Sequence, residues 1–316
     1  MPSYSGVWTL TAVYQAVGAN NWTNPPPAIG LFAGGTSSSI TNVIDYVIIS
    51  TTGNATDFGD LSASTRGSAG CGSTTRGLIA LGDTTGSYGE VNTIEYVTFL
   101  TTGNAVDFGD LTQARAFLAG CNSSTRGLFG GGYDGASNFN TVDYVTIATT
   151  GNATDFGDLQ VARSFLASCS SPTRGVWAGG NGGANAANTI DYVTIASTGD
   201  TTDFGDLYQG GDSISGCASS TRGVFGGNNN AANVIQYITI ATTGNSLDFG
   251  DLLTDKGLGC FSCSSDTRGL FAGGTSQNNI IEYVTIANTG NATDFGDLTV
   301  GRAWAGACSN SSGGVQ

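Results

Sequence analysis

Aspartates set in a fixed pattern are the first residues of this chain that could do chemistry. The string Asp-Phe-Gly-Asp-Leu occurs six times, beginning at Asp57, Asp107, Asp155, Asp203, Asp248 and Asp294. Each copy offers two carboxylates beside a glycine, and three readings follow. A kinase-type magnesium motif fails, because six copies occur and no Gly-rich loop, catalytic loop or strand lysine accompanies them. A calcium site would use pairs such as Asp57 and Asp60 as hard oxygen ligands. A turn needs no ligand, since Asp bonds nearby backbone amides and Gly permits a positive φ. Turn and calcium both stay open, and no other cofactor is expected. Aspartates alone can hydrolyse glycosides, yet each pair here has five copies and none is marked out as catalytic.

The chain has 316 residues and no His, which removes His-dependent hydrolases, the usual zinc sites and His-ligated copper. Seven Cys are present. Cys71, Cys121, Cys169, Cys217, Cys263 and Cys308 hold one repeat position, too far apart for the roughly 5.5 to 6 Å Cα separation of a disulfide, and read as small buried apolar groups. Cys260 is the extra one and is expected as an exposed thiol without His or Lys beside it. Triple glycines such as Gly130-Gly131-Gly132 are not followed by a helix that could hold phosphate. No catalytic residue and no metal ligand set is therefore expected, and the chain reads as non-enzymatic.

Ten Lys and Arg against 24 Asp and Glu give a net charge of -14, the wrong sign for phosphate backbones or anionic membranes. Nucleic-acid binding and membrane insertion are not expected. The segment Met1 to Asn20 has no basic residue and no continuous apolar block, so it does not read as a signal peptide. The basic residues fall at two repeat positions: Arg76, Arg126, Arg174, Arg222 and Arg268 in a Thr-Arg-Gly turn, and Arg66, Arg115, Arg163, Lys256 and Arg302 after the Asp-Phe-Gly-Asp-Leu string. Of the 24 acids, 17 occupy fixed positions: the six aspartate pairs and Asp45, Glu95, Asp143, Asp191 and Glu282 before a repeat tyrosine. Charge placed so regularly is expected to satisfy turns and bridge neighbouring units.

The elements that must position these residues follow from the repeat. Successive copies start 50, 48, 48, 45 and 46 residues apart. Segments such as Leu128 to Gly131, Thr141 to Ile147 and Ser164 to Cys169 are short, apolar or β-branched, and bounded by Gly, Asn, Ser and Thr. They read as strands, with a shorter fourth around Asp-Phe-Gly-Asp-Leu. In Ile94-Glu95-Tyr96-Val97-Thr98-Phe99 apolar residues fall on both parities, as in a sheet packed on both faces. Four strands in about 45 to 50 residues is the pattern of a propeller blade.

At this point the sequence resembles the kelch family of β-propellers. The double glycine is Gly34-Gly35, Gly131-Gly132, Gly179-Gly180, Gly226-Gly227 and Gly273-Gly274, and the tyrosines are Tyr46, Tyr96, Tyr144, Tyr192, Tyr237 and Tyr283. Phe58, Phe108, Phe156, Phe204, Phe249 and Phe295 replace the family's Trp, and Leu81-Gly82-Asp83 stands where a double glycine is expected. The repeat begins at Ile29 without its Ala-Gly-Cys strand and ends on that strand, at Ala303-Trp304-Ala305-Gly306-Ala307-Cys308-Ser309. The expected fold is therefore all-β: a six-bladed kelch-like propeller over 29–316, with about four short antiparallel strands per blade. The C-terminal strand closes the ring, and 1–28 form an N-terminal arm.

Two irregular regions are left for function. The loops after the Gly-Gly strands vary in length and sequence and should share one face; Tyr88, Tyr133, Phe139, Asn181 and Asn229 are their candidate recognition residues. Tolerated drift in exposed loops explains the variation equally. The arm carries Trp8, Leu10, Tyr14 and Trp22 before Pro25-Pro26-Pro27, a stiff spacer. Such aromatics are expected to dock, on the disc itself or on a partner.

The short Gly-Val-Trp-Thr-Leu arm joined to Thr-Arg-Gly and Ile-Asp-Tyr-Val-Thr-Ile repeats also resembles phage virion proteins, including tail and fibre components. That resemblance implies a structural part of a virion, made in the host cytoplasm. Its partners would be other virion proteins or copies of itself, with a host surface glycan or protein as a further one. A free carbohydrate-binding module or bacterial surface adhesin is the alternative.

Overall fold

The computed structural model describes residues 26–183, 186–230 and 233–314. They form six four-stranded antiparallel sheets in a ring, a six-bladed β-propeller, and the described residues contain only one 3-10 turn, Thr275–Gln277. Blade 1 runs outward as Gly306–Ser309, Ile29–Ala33, Thr41–Ile48 and Thr56–Thr65. Gly30 pairs with Ser309 and Ala33 with Gly306, so the C-terminal strand closes the ring as the sequence predicts. Blades 2 to 6 begin with the innermost strands Ala69–Gly72, Ala119–Asn122, Ala167–Ser170, Ser215–Ala218 and Cys260–Ser264. A two-stranded ribbon, Arg163–Ser164 with Asn181–Gly182, is added at blade 4.

Each blade is too small to bury its own apolar residues, so every sheet packs on two neighbours. The consequence is visible in the second strands, where Leu78, Ile79 and Ala80 in a row are inaccessible. Within a blade, the repeat tyrosine meets the outer-strand phenylalanine edge-on, with ring centroids 5.8 to 6.1 Å apart.

Three contacts recur at all or nearly all junctions and explain the motifs. First, the repeat cysteine of each inner strand sits on the first glycine of the next blade's second strand. A Cβ on Gly127 would lie 2.5 Å from Cys71 Sγ, and Gly175, Gly223, Gly269, Gly30 and Gly77 meet Cys121, Cys169, Cys217, Cys263 and Cys308 in the same way. All seven cysteines are free and buried. Cys260, expected as an exposed thiol, is only 8% exposed.

Second, the Asp-Phe-Gly-Asp-Leu string forms the short fourth, outermost strand that the repeat predicts, with a β-bulge where a turn was the other reading, as in Val106–Asp110 and Thr154–Asp158. Its free edge is closed by the Thr-Thr-Gly-Asn-Ala turn of the next blade. Gly103 N donates to Phe58 O at 2.8 Å, Ala105 N to Asp60 O at 2.8 Å, and Asp60 N to Asn104 Oδ1 at 3.1 Å. A Cβ on Gly59 would lie 2.5 Å from the Gly103 carbonyl, so this glycine permits the approach. The same bonds join Gly53, Asn54 and Ala55 to Phe295 and Asp297 across the closure, so the edge strands are covered.

Third, the Thr-Arg-Gly arginines bridge blades, as their regular placement implies. Arg76, Arg126, Arg174, Arg222 and Arg268 donate to carbonyls of Ile147, Ile195, Ile240, Ile286 and Ile49 in the next blade at 2.8 to 3.2 Å. Each guanidinium also lies 4.4 to 4.8 Å from the centroid of its own blade's tyrosine.

The second basic position forms fully buried ion pairs: Arg115 with Asp143, Arg163 with Asp191, Arg302 with Asp45, and Lys256 with Glu282. The shorter cation is matched by the longer acid. Each acid also holds the connector that enters its blade, as Thr112 N and Oγ1 donate to Asp143. Burial pushes Asp191 up and Arg163 down, each toward its neutral form, so the pairs are held against a solvation cost. Blade 5 loses both charges together. Gly211 replaces the cation and Gln236 the acid, and Gln236 bonds Gln209 N and O instead. Arg66, read from sequence as the blade 2 member, lies one residue later relative to Leu61 than Arg115 does to Leu111; it pairs with Asp83, leaving Glu95 to Ser62.

Two stability measurements test this. Gly127→Ala should cost about 1–3 kcal/mol by overpacking, and adding Cys71→Ala should recover part of that loss in a double-mutant cycle by chemical denaturation. Arg302→Gly alone strands the Asp45 charge and should cost about 3–5 kcal/mol. Arg302→Gly with Asp45→Gln, which copies blade 5, should regain most of it.

Candidate functional site

Strand direction defines two faces. Second strands run from the Thr-Arg-Gly turns to the Gly-Gly loops, so the variable loops share one face with the connectors that lead into the inner strands. The Thr-Arg-Gly and Thr-Thr-Gly turns lie on the other. Trp8, Leu10, Tyr14 and Trp22 are outside the described residues.

Among the loop candidates, Tyr88 and Tyr133 come together from blades 2 and 3, edge-on with centroids 5.8 Å apart, and Tyr88 is 59% exposed. Phe139 is half-buried, and its backbone ties the loop down, Phe139 N donating to Gly132 O and Arg163 N to Phe139 O. Asn181 is exposed on the ribbon beside Ser164. Asn229 is paired with Asp212, its Nδ2 donating to Oδ2 at 2.9 Å. The structure joins the two tyrosines, while Asn181 and Asn229 lie on blades 4 and 5. No group of three or more His, Cys, Asp or Glu among the described residues could hold a metal.

Asp83 explains why blade 2 departs from the double glycine. Its carboxylate is inaccessible and accepts amides of Thr85, Gly86, Tyr88 and Gly89 at 2.9 to 3.2 Å, with Arg66 Nε at 2.9 Å. Burial alone would raise its pKa, but the Gly89, Thr85 and Tyr88 amides and the Arg66 guanidinium outweigh that and hold it well below the usual carboxylate range. The loop that carries Tyr88 is thus wound around one anion.

A second feature of this face, unread in the sequence, lies on the propeller axis. Gly67, Phe117, Phe165, Ser213, Gly259 and Trp304, one from each blade, all have φ between 55° and 74°. Five backbone bonds of 2.7 to 2.9 Å link them from blade to blade: Gly67 N to Trp304 O, Phe117 N to Gly67 O, Phe165 N to Phe117 O, Ser213 N to Phe165 O and Trp304 N to Gly259 O. Left-handed backbone costs an aromatic residue roughly 1–2 kcal/mol, and glycine at two of the six copies shows the relaxed alternative. That mixture of Gly and aromatics at one register was the signal available in the sequence.

The ring surrounds a cup of about 120 Å³. Phe117 stacks on Phe165 at 4.2 Å and meets Trp304 edge-on at 6.4 Å. Arg66 lies 5.9 Å from the Trp304 centroid and 6.0 Å from that of Phe117. Ser68, Ser168, Ser215 and Ser262 also line it, and the Ser168 and Ser262 hydroxyls donate to Gly120 O and Gly216 O at 2.8 Å. Cys260 also lines the cup, but burial pushes its thiol up to about 12, which keeps it protonated. At the other end of the axis, Ser311 bridges Ser265 and Gly313 N donates to Ala218 O, so the C-terminal residues lie across the channel. The cup opens on the loop face and is lined by aromatic, serine and small residues.

Comparison with protein-family models finds no match, and comparison with curated proteins finds none either.

The depressed Asp83 pKa fixes a pH dependence. Its contribution to the loop is present at neutral pH, complete above the unfolded carboxylate pKa near 4, and lost as pH falls through the lower folded value. Amide exchange at Tyr88 and Gly89, taken relative to the intrinsic rate at each pH, should therefore stay slow through pH 4 and accelerate only in stronger acid. Asp83→Asn should speed it at every pH.

Proposed function

We propose that this protein is a non-enzymatic structural component of a phage particle, in a tail, fibre or capsid-associated position, anchored by its N-terminal arm and presenting the loop face for host-surface recognition. One observation carries the polarity of this reading. Ile29 starts a second strand, so the chain enters that strand from the turn face, opposite the variable loops. The C-terminal residues cross the channel on that same face. One face is left for attachment and the other for display. The charged repeat residues support a rigid body, since both basic positions are used in holding connectors and blades together. The kelch-like repeat and the arm's resemblance to phage virion proteins supply the particle context.

The axial cup favours the second reading, a free carbohydrate-binding module or surface adhesin, in which the loop face does all the work.

Native mass separates the two. The full chain is expected to form an assembly of 31.9 kDa subunits, alone or with virion proteins, and Trp8→Ser with Trp22→Ser should release monomers that melt at the same temperature. A full chain that is monomeric and binds no virion protein would contradict the particle reading.

A further inference from the structure

We propose that the junction of blades 1 and 2 is a socket on the turn face for one arginine side chain of a partner protein. This deepens the attachment role of that face and rests on it.

The molecule contains five filled copies of the socket. In blades 2 to 6 an arginine lies 4.4 to 4.8 Å from the centroid of its own blade's tyrosine and donates to the next blade. Arg76, Arg222 and Arg268 each reach two consecutive carbonyls there: Ile147 and Ala148, Ile286 and Ala287, Ile49 and Ser50. All five arginines are half-buried, and the bond to the second carbonyl lies at the surface. The guanidinium position is therefore reachable from outside the ring.

Blade 1 has the socket without its occupant. Tyr46 meets Phe58 edge-on as its counterparts meet theirs, and Phe99 and Leu100 follow Thr93–Thr98 of blade 2 where the accepting carbonyls belong. The arginine position holds Ile29, which pairs with Ile48 where Arg76 pairs with Thr98. Ile29 has no side-chain donor and packs into the apolar cluster with Leu31 and Phe99. No described residue donates to the Phe99 or Leu100 carbonyl. Leu100 is 57% exposed beside them and suits the apolar stem of an arginine.

Charge and shape select the occupant. An aromatic face beside two carbonyls attracts a cation. A planar guanidinium stacks on the ring while donating in its own plane to both oxygens, which a compact ammonium does not. The chain carries -14, and its ten basic side chains are all engaged, five in the bridges and five in ion pairs. A second copy has no arginine to offer, so the occupant belongs to a different protein. Arginine is also among the residues that most often anchor interfaces.

The test follows the ring signals of Tyr46 in the full chain, labelled at its tyrosines and titrated with the capped tripeptide Gly-Arg-Gly. They should move saturably, with a dissociation constant of about millimolar order for so small a ligand. Tyr96, Tyr144, Tyr192, Tyr237 and Tyr283, already under arginines, should not move. Citrulline in place of arginine keeps the shape without the charge and should bind about tenfold more weakly. Ile29→Arg with Ile48→Thr, which copies Arg76 and Thr98, should abolish the movement while leaving the melting temperature within a few degrees. No movement at about 50 mM peptide, a range that covers weak small-ligand binding, would overturn the proposal. So would equal movement by citrulline, or movement that survives in the double variant. A chain that assembles through its arm yet binds no arginine defeats the socket alone. A monomer whose Tyr46 binds arginine defeats the particle reading alone.

Discussion

The contact on which the ring depends is the seating of each inner-strand cysteine on a backbone glycine of the next blade. It occurs six times, the last from Cys263 to Gly30 across the closure. Any larger side chain at those glycines would push adjacent blades apart near the axis, where there is least room. The cysteines are there as small, apolar, adaptable groups, and burial raises the Cys308 thiol to about 12, far from the range of a nucleophile. Close approach at the axis in turn brings the outer strands within reach of the neighbouring Thr-Thr-Gly-Asn-Ala turns. The edges are then covered by the ring itself.

Departures from the repeat obey the same physics. Where blade 5 lacks a cation it also lacks the acid, because a lone buried charge costs far more than a neutral pair. Where blade 6 uses Lys256 it uses Glu282, restoring reach. Blade 1 begins at Ile29 in the arginine position, so Tyr46 has no guanidinium above it among the described residues, and the junction with blade 2 lacks the arginine bridge. Blade 2 is the exception, since Arg66 pairs with Asp83 and the buried Glu95 accepts from Ser62 in place of a cation.

Blade number, strand count and ring closure were readable in the sequence because they follow from period and from which strand is missing at the start. The partners were not. Arg76 bonds carbonyls of Ile147 and Ala148, 71 and 72 residues away, and nothing in a repeat unit says which copy its charges will meet. The aspartate string was readable as the short fourth strand, but its Gly and Asp also looked like a turn, and Gly59 instead serves a bulge pressed against Gly103. Cys260 looked exposed because it was extra. The axial cup escaped notice because its aromatics sit in a connector whose left-handed backbone only the folded ring imposes. Of the recognition candidates, Tyr88 and Tyr133 share a patch, while the arm aromatics fall outside the described residues.

If cohesion resides in the junctions, the six blades must open together. Native-state hydrogen exchange measures this directly. The account predicts that outer-strand and turn amides at Asp60, Gly103, Asp251 and Gly290, held only across junctions, exchange with the same opening free energy as inner-strand amides of every blade. Outer amides exchanging by independent local opening, blade by blade, would contradict it.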